Sequence, residues 1–393
     1  MEAERPYSLT MIPAGRDPAP EIMSFALEGY KAFGSRADIE LGRITLLLGR
    51  NNAGKTALCF APLFLTHSLK DDADAPFPTS TQGVDFGPLQ SVSFRRQPTG
   101  LVGELNIKGL PGLVKLRLGA TALPEQSYAQ FVTTLELEKS DGNRIQRTNI
   151  DWAMARALIH DISAASRHQL AEQVRVLRGV RPAVPRHHQY LGHVPDSVGP
   201  FGELAPMILT ASGEEGLRSV NAWFEPMHIQ LRIEQGRDAF ELLASGTGGE
   251  PVNLVDSGAG ISHILPLIVS VRLARSEPTL FCIEQPELHL HPRAHVAVAE
   301  LLLECLTRQP HSRLLVETHS DVLVLRLRRE IASGRLSRDD IRIYFVDEEQ
   351  PGGSRIRKIE LDERGTPTWW PKDVFAEPQK EYFAIRREIA RRG

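Results

Sequence analysis

The chain has 393 residues, 41% of them hydrophobic and 24% charged, with a formal net charge of −3. That length allows two domains or one large domain with an insertion, and the balanced charge excludes a general attraction to nucleic acid, so such contact needs a local patch. Three cysteines, Cys59, Cys282 and Cys305, lie in apolar runs without CxxC spacing, which argues for core residues in a reducing compartment and against disulfides or a metal site.

The N-terminal "MEAERPYSLTMIPAG" has acids and prolines where a secretory signal needs a basic start and an apolar run, so a cytoplasmic location is expected. Short strand-like runs follow. "IMSFALEGYKAF" alternates, "RITLLLG" reads as a buried strand, and "LVGELNIKGL" and "LVKLRLGA" read as a pair joined at Pro111-Gly112. From Asn149 to Arg178 the pattern is helical, "DWAMARALIHDISAASRHQLAEQVRVL", and a connection rich in Pro, His and Gly comes next. From about Val252, helix and strand alternate: "SHILPLIVSVRLAR" helical, "TLFCI" a strand, "PRAHVAVAELLLECLTRQ" helical, "RLLVETHS" a strand, "DVLVLRLRREIASG" helical, "IRIYFV" a strand. That rhythm predicts a mostly parallel sheet flanked by helices. The longest apolar run, Ile261 to Val271, is too short to span a bilayer and is closed by Arg272.

"GRNNAGKT" (Gly49 to Thr56) matches G-x-x-x-x-G-K-S/T in full, with the apolar "RITLLL" before it and the helix-capable "TALCFAPLFL" after it. Gly49 and Gly54 let the backbone curl so that N–H groups from Asn51, Asn52, Ala53 and Ala57 can face an anion. Lys55 is placed to bridge the β- and γ-phosphates and the Thr56 hydroxyl to hold Mg²⁺. No guanine-reading N-K-x-D occurs, so ATP is favoured.

Downstream, "VDSGAGISHILP" sets Ser257, Gly258 and Gly260 before a helix, either a plain Ser-Gly cap or a second anion loop. "TLFCIEQPELHLHP" ends a buried strand in Glu284, followed by Gln285, and "VETHSD" puts His319 at the end of another. These residues together resemble the OLD-type branch of the ABC ATPases, relatives of the SMC and RecF heads, over most of 22–65 and 250–346. "RGVRPAVPRHHQYLG", "VGPFGELAPMIL" and the tail "DERGTPTWWPKDVF" further resemble a stand-alone AAA-family subgroup with a C-terminal Trp-Pro domain and no Toprim domain.

The resemblance implies an α/β P-loop NTPase of ABC type, a mixed sheet flanked by helices with an inserted helical and β region. It implies an N-terminal ATPase lobe at 22–95, an insertion at 96–250, a C-terminal ATPase lobe at 251–346 and a short C-terminal domain at 347–393. Heads of this type dimerise head to tail, so Ser257, Gly258 and Gly260 would read the γ-phosphate bound by a partner copy. Glu284 takes the Mg²⁺ position, His319 that of a switch histidine, and His291 a loop that crosses the dimer interface. Gln90 in "FGPLQSV" is a candidate sensor of Mg²⁺ and γ-phosphate. "GYKAF" (Gly29 to Phe33) falls where related heads place an aromatic or basic residue against adenine, with ordinary packing as the alternative. Two alternating histidines, His289 and His291, without an acidic or Cys cluster make a poor zinc site.

Gln285 stands where the general base is usual. An amide orients water but does not accept its proton at neutral pH, and Glu287 is the acid nearby that could substitute. Phosphoryl transfer depends mostly on positioning and charge stabilisation, so slow hydrolysis is expected. The resemblance implies a nucleotide-gated switch for a partner protein, such as a nuclease or toxin, as in the bacterial anti-phage defence modules of many relatives. A DNA-repair ATPase of SMC or RecF type is the alternative, although the insertion has no long heptad arms. The basic "FRRQ" and "RGVRPAVPRHH" are candidate phosphate contacts. "VDEEQPGG" lacks the E…DxD pattern of a nuclease in cis, and a nucleotide-binding scaffold without turnover stays open through Gln285.

Overall fold

A computed structural model describes residues 20–97, 100–123, 126–246, 248–273, 280–349, 353–372, 382 and 384–387. The N-terminal stretch read for a signal sequence, and most of the chain beyond 372, lie outside the described residues.

A six-stranded sheet forms the centre, in the order Val174–Leu177, Leu280–Glu284, Arg313–Glu317, Ile44–Gly49, Ile341–Glu349, Gly353–Ile359. The first five strands run parallel and the last antiparallel. These strands read as unbroken apolar runs because both faces are covered. Ile44, Leu46 and Leu48 enter one core while Leu47 enters the other, and Phe281 and Ile283 divide from Leu280 and Cys282 in the same way. Parallel strands joined by helices leave all their carboxyl ends on one side, where ligands of open α/β sheets bind.

On one face, helices Lys55–Cys59 and Ala61–Thr66 lie between the central sheet and a six-stranded antiparallel sheet. That second sheet runs Ala37–Glu40, Glu21–Glu28, Leu101–Lys108, Lys115–Leu123, Gln126–Glu138, Arg144–Ile150. Phe64 stacks on Phe77 at 4.8 Å in the intervening core. The Tyr344 hydroxyl accepts from Glu40 N at 2.9 Å and so ties the two sheets together. On the other face pack helices Ala205–Ala211, Gly213–Phe224, Ala259–Arg272, Ala294–Arg308 and Asp321–Ala332, with a small sheet around Ala239–Ser245. No helix among the described residues is long and apolar enough to cross a membrane.

The strands expected on either side of Pro111-Gly112 pair antiparallel, with Asn106 opposite Lys115. One expectation needs correction. The helical reading through Arg178 stops at Glu172, and Val174–Leu177 is instead an edge strand parallel to Leu280–Ile283. Alternating Val174 and Val176 with Leu177 suit a buried pleat, and tertiary pairing decides a segment this short. Residues 96–250 contribute strands to three sheets: the antiparallel sheet, the central sheet and the small one.

Candidate nucleotide site

At the end of strand Ile44–Gly49 the backbone turns at Gly49 with φ 147°, where an added Cβ would lie 2.1 Å from the Val346 carbonyl oxygen. Only glycine passes there. Gly54 (φ 96°) then starts helix Lys55–Cys59. Lys55 is 3% exposed; its Nζ donates to the Arg50 carbonyl at 2.6 Å and lies 3.9 Å from Glu317 Oε1. The Thr56 hydroxyl donates to Glu317 Oε2 at 2.8 Å. Burial lowers the Lys55 pKa against the pull of Glu317, and burial raises that of Glu317 against Thr56 and Lys55.

Glu317 is a site residue that sequence reasoning missed. It ends the strand between the phosphate-loop strand and the strand of Glu284, directly opposite Glu284 in register. Its signal was present in "VETHSD", an acid two positions before the predicted switch histidine. Thr56 bonds Glu317, and the adjacent Glu284, expected at Mg²⁺, accepts through Oε2 from Gly179 N at 2.9 Å.

The turn after Glu284 is tightly tied. Gln285 adopts φ 43°, its N–H donates to Glu317 O at 2.8 Å, and its carbonyl lies 3.2 Å from His263 Nε2. Glu287 is 7% exposed, and its Oε1 accepts from His319 N at 2.7 Å. Its Oε2 is buried without a hydrogen-bond partner. Burial raises the Glu287 pKa, opposed by the bonds from His319 and Thr318. The His319 imidazole is held towards its neutral form by burial and by Lys55.

A cleft of about 960 Å³ opens over these groups. Asn51, Asn52, Gly54, Lys55, Thr56 and Ala57 form its phosphate-loop wall, and Gln285, Glu287, Glu317 and His319 its floor. Tyr30 and Lys31 of "GYKAF" border it, as do Arg178, His289 and His295. Gly49 and the buried Ala53 shape the loop without lining the cleft. Several expected residues lie elsewhere. Gln90, in helix Leu89–Val92, does not line the cleft; His291, expected on a loop facing a second copy, is exposed outside it, while its neighbours His289 and His295 line it. Positive φ at His289 (63°) turns the chain so that it, not His291, faces inward. Ser257, Gly258 and Gly260 also lie outside this cleft; Gly258 is exposed, and Ser257 Oγ donates to Leu254 O at 2.7 Å.

Among the described residues no group of three His, Cys, Asp or Glu side chains could hold a metal. Mg²⁺ does not require one, since it binds through one or two carboxylates, substrate phosphates and water. The Thr56 hydroxyl, Glu317 and the adjacent Glu284 are hard oxygen donors of that kind, and the charge of Glu284 adds to the burial that raises the Glu317 pKa.

A family model described as "AAA domain, putative AbiEii toxin, Type IV TA system" matches residues 44–326, from the phosphate-loop strand into the helix after His319. The chain belongs to this family. This AAA-family chain also has the fold of an SMC ATPase head. An SMC head bound to the C-winged helix domain of ScpA is similar to it over 87% of this chain and 98% of that one, at 15% identity and TM-score 0.51. An Smc head domain with an extended coiled coil from Pyrococcus furiosus covers 94% of this chain and 100% of its own at 13% identity and TM-score 0.46. No curated protein matches the AAA-family chain.

Proposed function

We propose that the chain binds ATP with Mg²⁺, hydrolyses it slowly, and uses it to close two copies head to tail as a switch for a partner protein. The observation that carries this reading is a divided site. Lys55, Thr56, Glu317, Gln285, Glu287 and His319 meet at one cleft, whereas the Ser257–Gly260 loop lies outside it with Gly258 and Ala259 exposed. A second copy, turned head to tail, supplies that loop to the open side of the cleft.

Within the cleft, Lys55 and the loop N–H groups hold the β- and γ-phosphates, while Thr56, Glu317 and Glu284 would hold Mg²⁺, which neutralises phosphate charge when bound. Gln285 orients the attacking water. The unpartnered Oε2 of Glu287, on a carboxyl whose burial raises its proton affinity, is the best-placed acceptor for the water's proton. Neutral His319 contacts the γ-phosphate from the far side. Turnover is slow because the acceptor stands two residues from the usual position and shares its other oxygen with His319 N.

Membership of the OLD-type branch, a cytoplasmic location and a role in a defence module belong to the same proposal. So does a C-terminal Trp-Pro domain, in which Trp369 stacks on Arg357 at 3.7 Å and donates to Lys358 O. An effector such as a nuclease or toxin is the expected partner, by analogy with an SMC head that carries a domain of ScpA. One second reading is favoured by the bond from His319 N to Glu287: a nucleotide-binding scaffold without turnover.

Steady-state ATP turnover separates the two. Wild type should exceed Lys55→Ala, and Glu287→Gln should lose about 100-fold, the usual scale of general-base removal. Wild type equal to Lys55→Ala, with turnover appearing in Gln285→Glu, would establish the scaffold.

A further inference from the structure

Arg178 opens the basic stretch "RGVRPAVPRHH", expected from the sequence only as a candidate phosphate contact, and it lines the same cleft. It follows the edge strand Val174–Leu177, which pairs with the strand that ends in Glu284. The order of strands sets its place: phosphate-loop strand, Glu317 strand, Glu284 strand, then Arg178, all at carboxyl ends. At about 4.8 Å per strand, it stands roughly 14 Å across from the phosphate-loop strand, beyond both carboxylates.

The guanidinium is held in place without being neutralised. It lies 5.9 Å from the Phe60 ring and 5.4 Å from the Phe201 ring. The backbone behind it is fixed by Arg178 N donating to Pro200 O at 2.8 Å, by Arg181 Nε donating to Arg178 O at 2.7 Å, and by Gly179 N on Glu284. No ion pair of Arg178 with a carboxylate is found among the described residues, and its Nε is buried without a partner. A buried donor left open in a rigid, positively charged group calls for an acceptor from outside. Lys31 lines the same cleft and feels the charge of Arg178, so the positive potential there is shared.

We propose that Arg178 is the γ-phosphate-reading cation of this cleft, which makes the site prefer a nucleoside triphosphate to a diphosphate. The proposal rests on the reading of the cleft as an ATP site. Lys55 and the loop hold the β- and γ-phosphates from one side. The terminal phosphate then projects over Glu317 and Glu284 towards the guanidinium, whose planar fork suits phosphate oxygens. Phe60 and Phe201 confine it, so little freedom is lost on binding.

The test is the affinity of the intact protein for Mg²⁺ with the analogue AMP-PNP and, separately, with ADP, by titration calorimetry. Arg178→Ala should weaken AMP-PNP by ~10- to 100-fold, the worth of one charge-assisted contact, and ADP by less than about twofold. Arg178→Lys keeps the charge and should recover part of that loss, and Phe201→Leu, which frees the guanidinium, should fall between. Equal weakening of both nucleotides, or no change in either, overturns the proposal. Should wild type and Lys55→Ala bind AMP-PNP alike, the ATP reading itself fails and the assignment of Arg178 falls with it.

Discussion

The phosphate loop and the Ser257–Gly260 loop are both glycine-containing turns that lead into helices, and they are built in opposite ways. Gly49, Lys55 and Thr56 are locked into the chain's own interior, by the Val346 carbonyl, Arg50 and Glu317. The second loop is held by the local bonds of Ser257 to Leu254 and Ser262 to Ala259, by a surface pair between Arg186 and Asp256 at 2.7 Å, and by the close approach of Gly260 to the His289 carbonyl. Its Gly258 has open space where a Cβ would be added. On the proposed reading, one half-site is thus complete and self-supporting, and the other is shaped but presented outward.

The two glycines break or sharpen that contrast most directly. Gly49→Ala forces a methyl into the Val346 carbonyl at a φ that disfavours side chains, and should cost about 3 kcal/mol or more in urea unfolding, or prevent folding. At Gly258 (φ −60°) the same change should leave stability within about 0.5 kcal/mol, so any loss of turnover there comes from the missing fit to a second copy.

The choice of acid at the metal comes next. Glu317→Gln should raise the Mg²⁺ concentration needed for half-maximal nucleotide binding by about tenfold, and Glu284→Gln by less, because Thr56 already bonds Glu317. A larger effect from Glu284 would make it, and not Glu317, the main carboxylate at the metal.

A smaller effect is expected at His263, which joins the helix behind the exposed loop to the Gln285 carbonyl. Burial, then Arg181, lowers its pKa from 6.5 to about 4. The unfolded chain therefore takes up this proton first, so stability is full above pH 6.5 and declines as pH falls towards about 4. Buried Glu287 and Glu317, whose pKa values are raised, act in the opposite direction over acid pH. The difference in urea midpoint between wild type and His263→Asn isolates the histidine, and wild type should lose on the order of 2 kcal/mol more between pH 7 and 4.

Much of this was legible in the sequence, and the reason is physical. Parallel strands covered on both faces read as apolar runs, so Ile44–Gly49, Leu280–Glu284, Arg313–Glu317 and Ile341–Glu349 stood out, as did the loop at Lys55. What escaped depends on strand order, which no local pattern carries. Glu317 matters because its strand lies beside the phosphate loop, and Arg178 because a short strand once read as helix lies beside Glu284. Gln90 was placed by its order along the chain, and it falls outside the cleft.

The central claim, that the site is completed by a second copy, is tested most directly by mixing two variants. Lys55→Ala keeps the exposed loop and loses the phosphate grip; Ser257→Arg does the reverse. Each alone should remain a monomer in sedimentation with ATP, and their mixture should form a dimer through its one intact composite site. A mixture that stays monomeric while wild type dimerises, or a Ser257→Arg protein that dimerises with ATP as wild type does, would contradict the account.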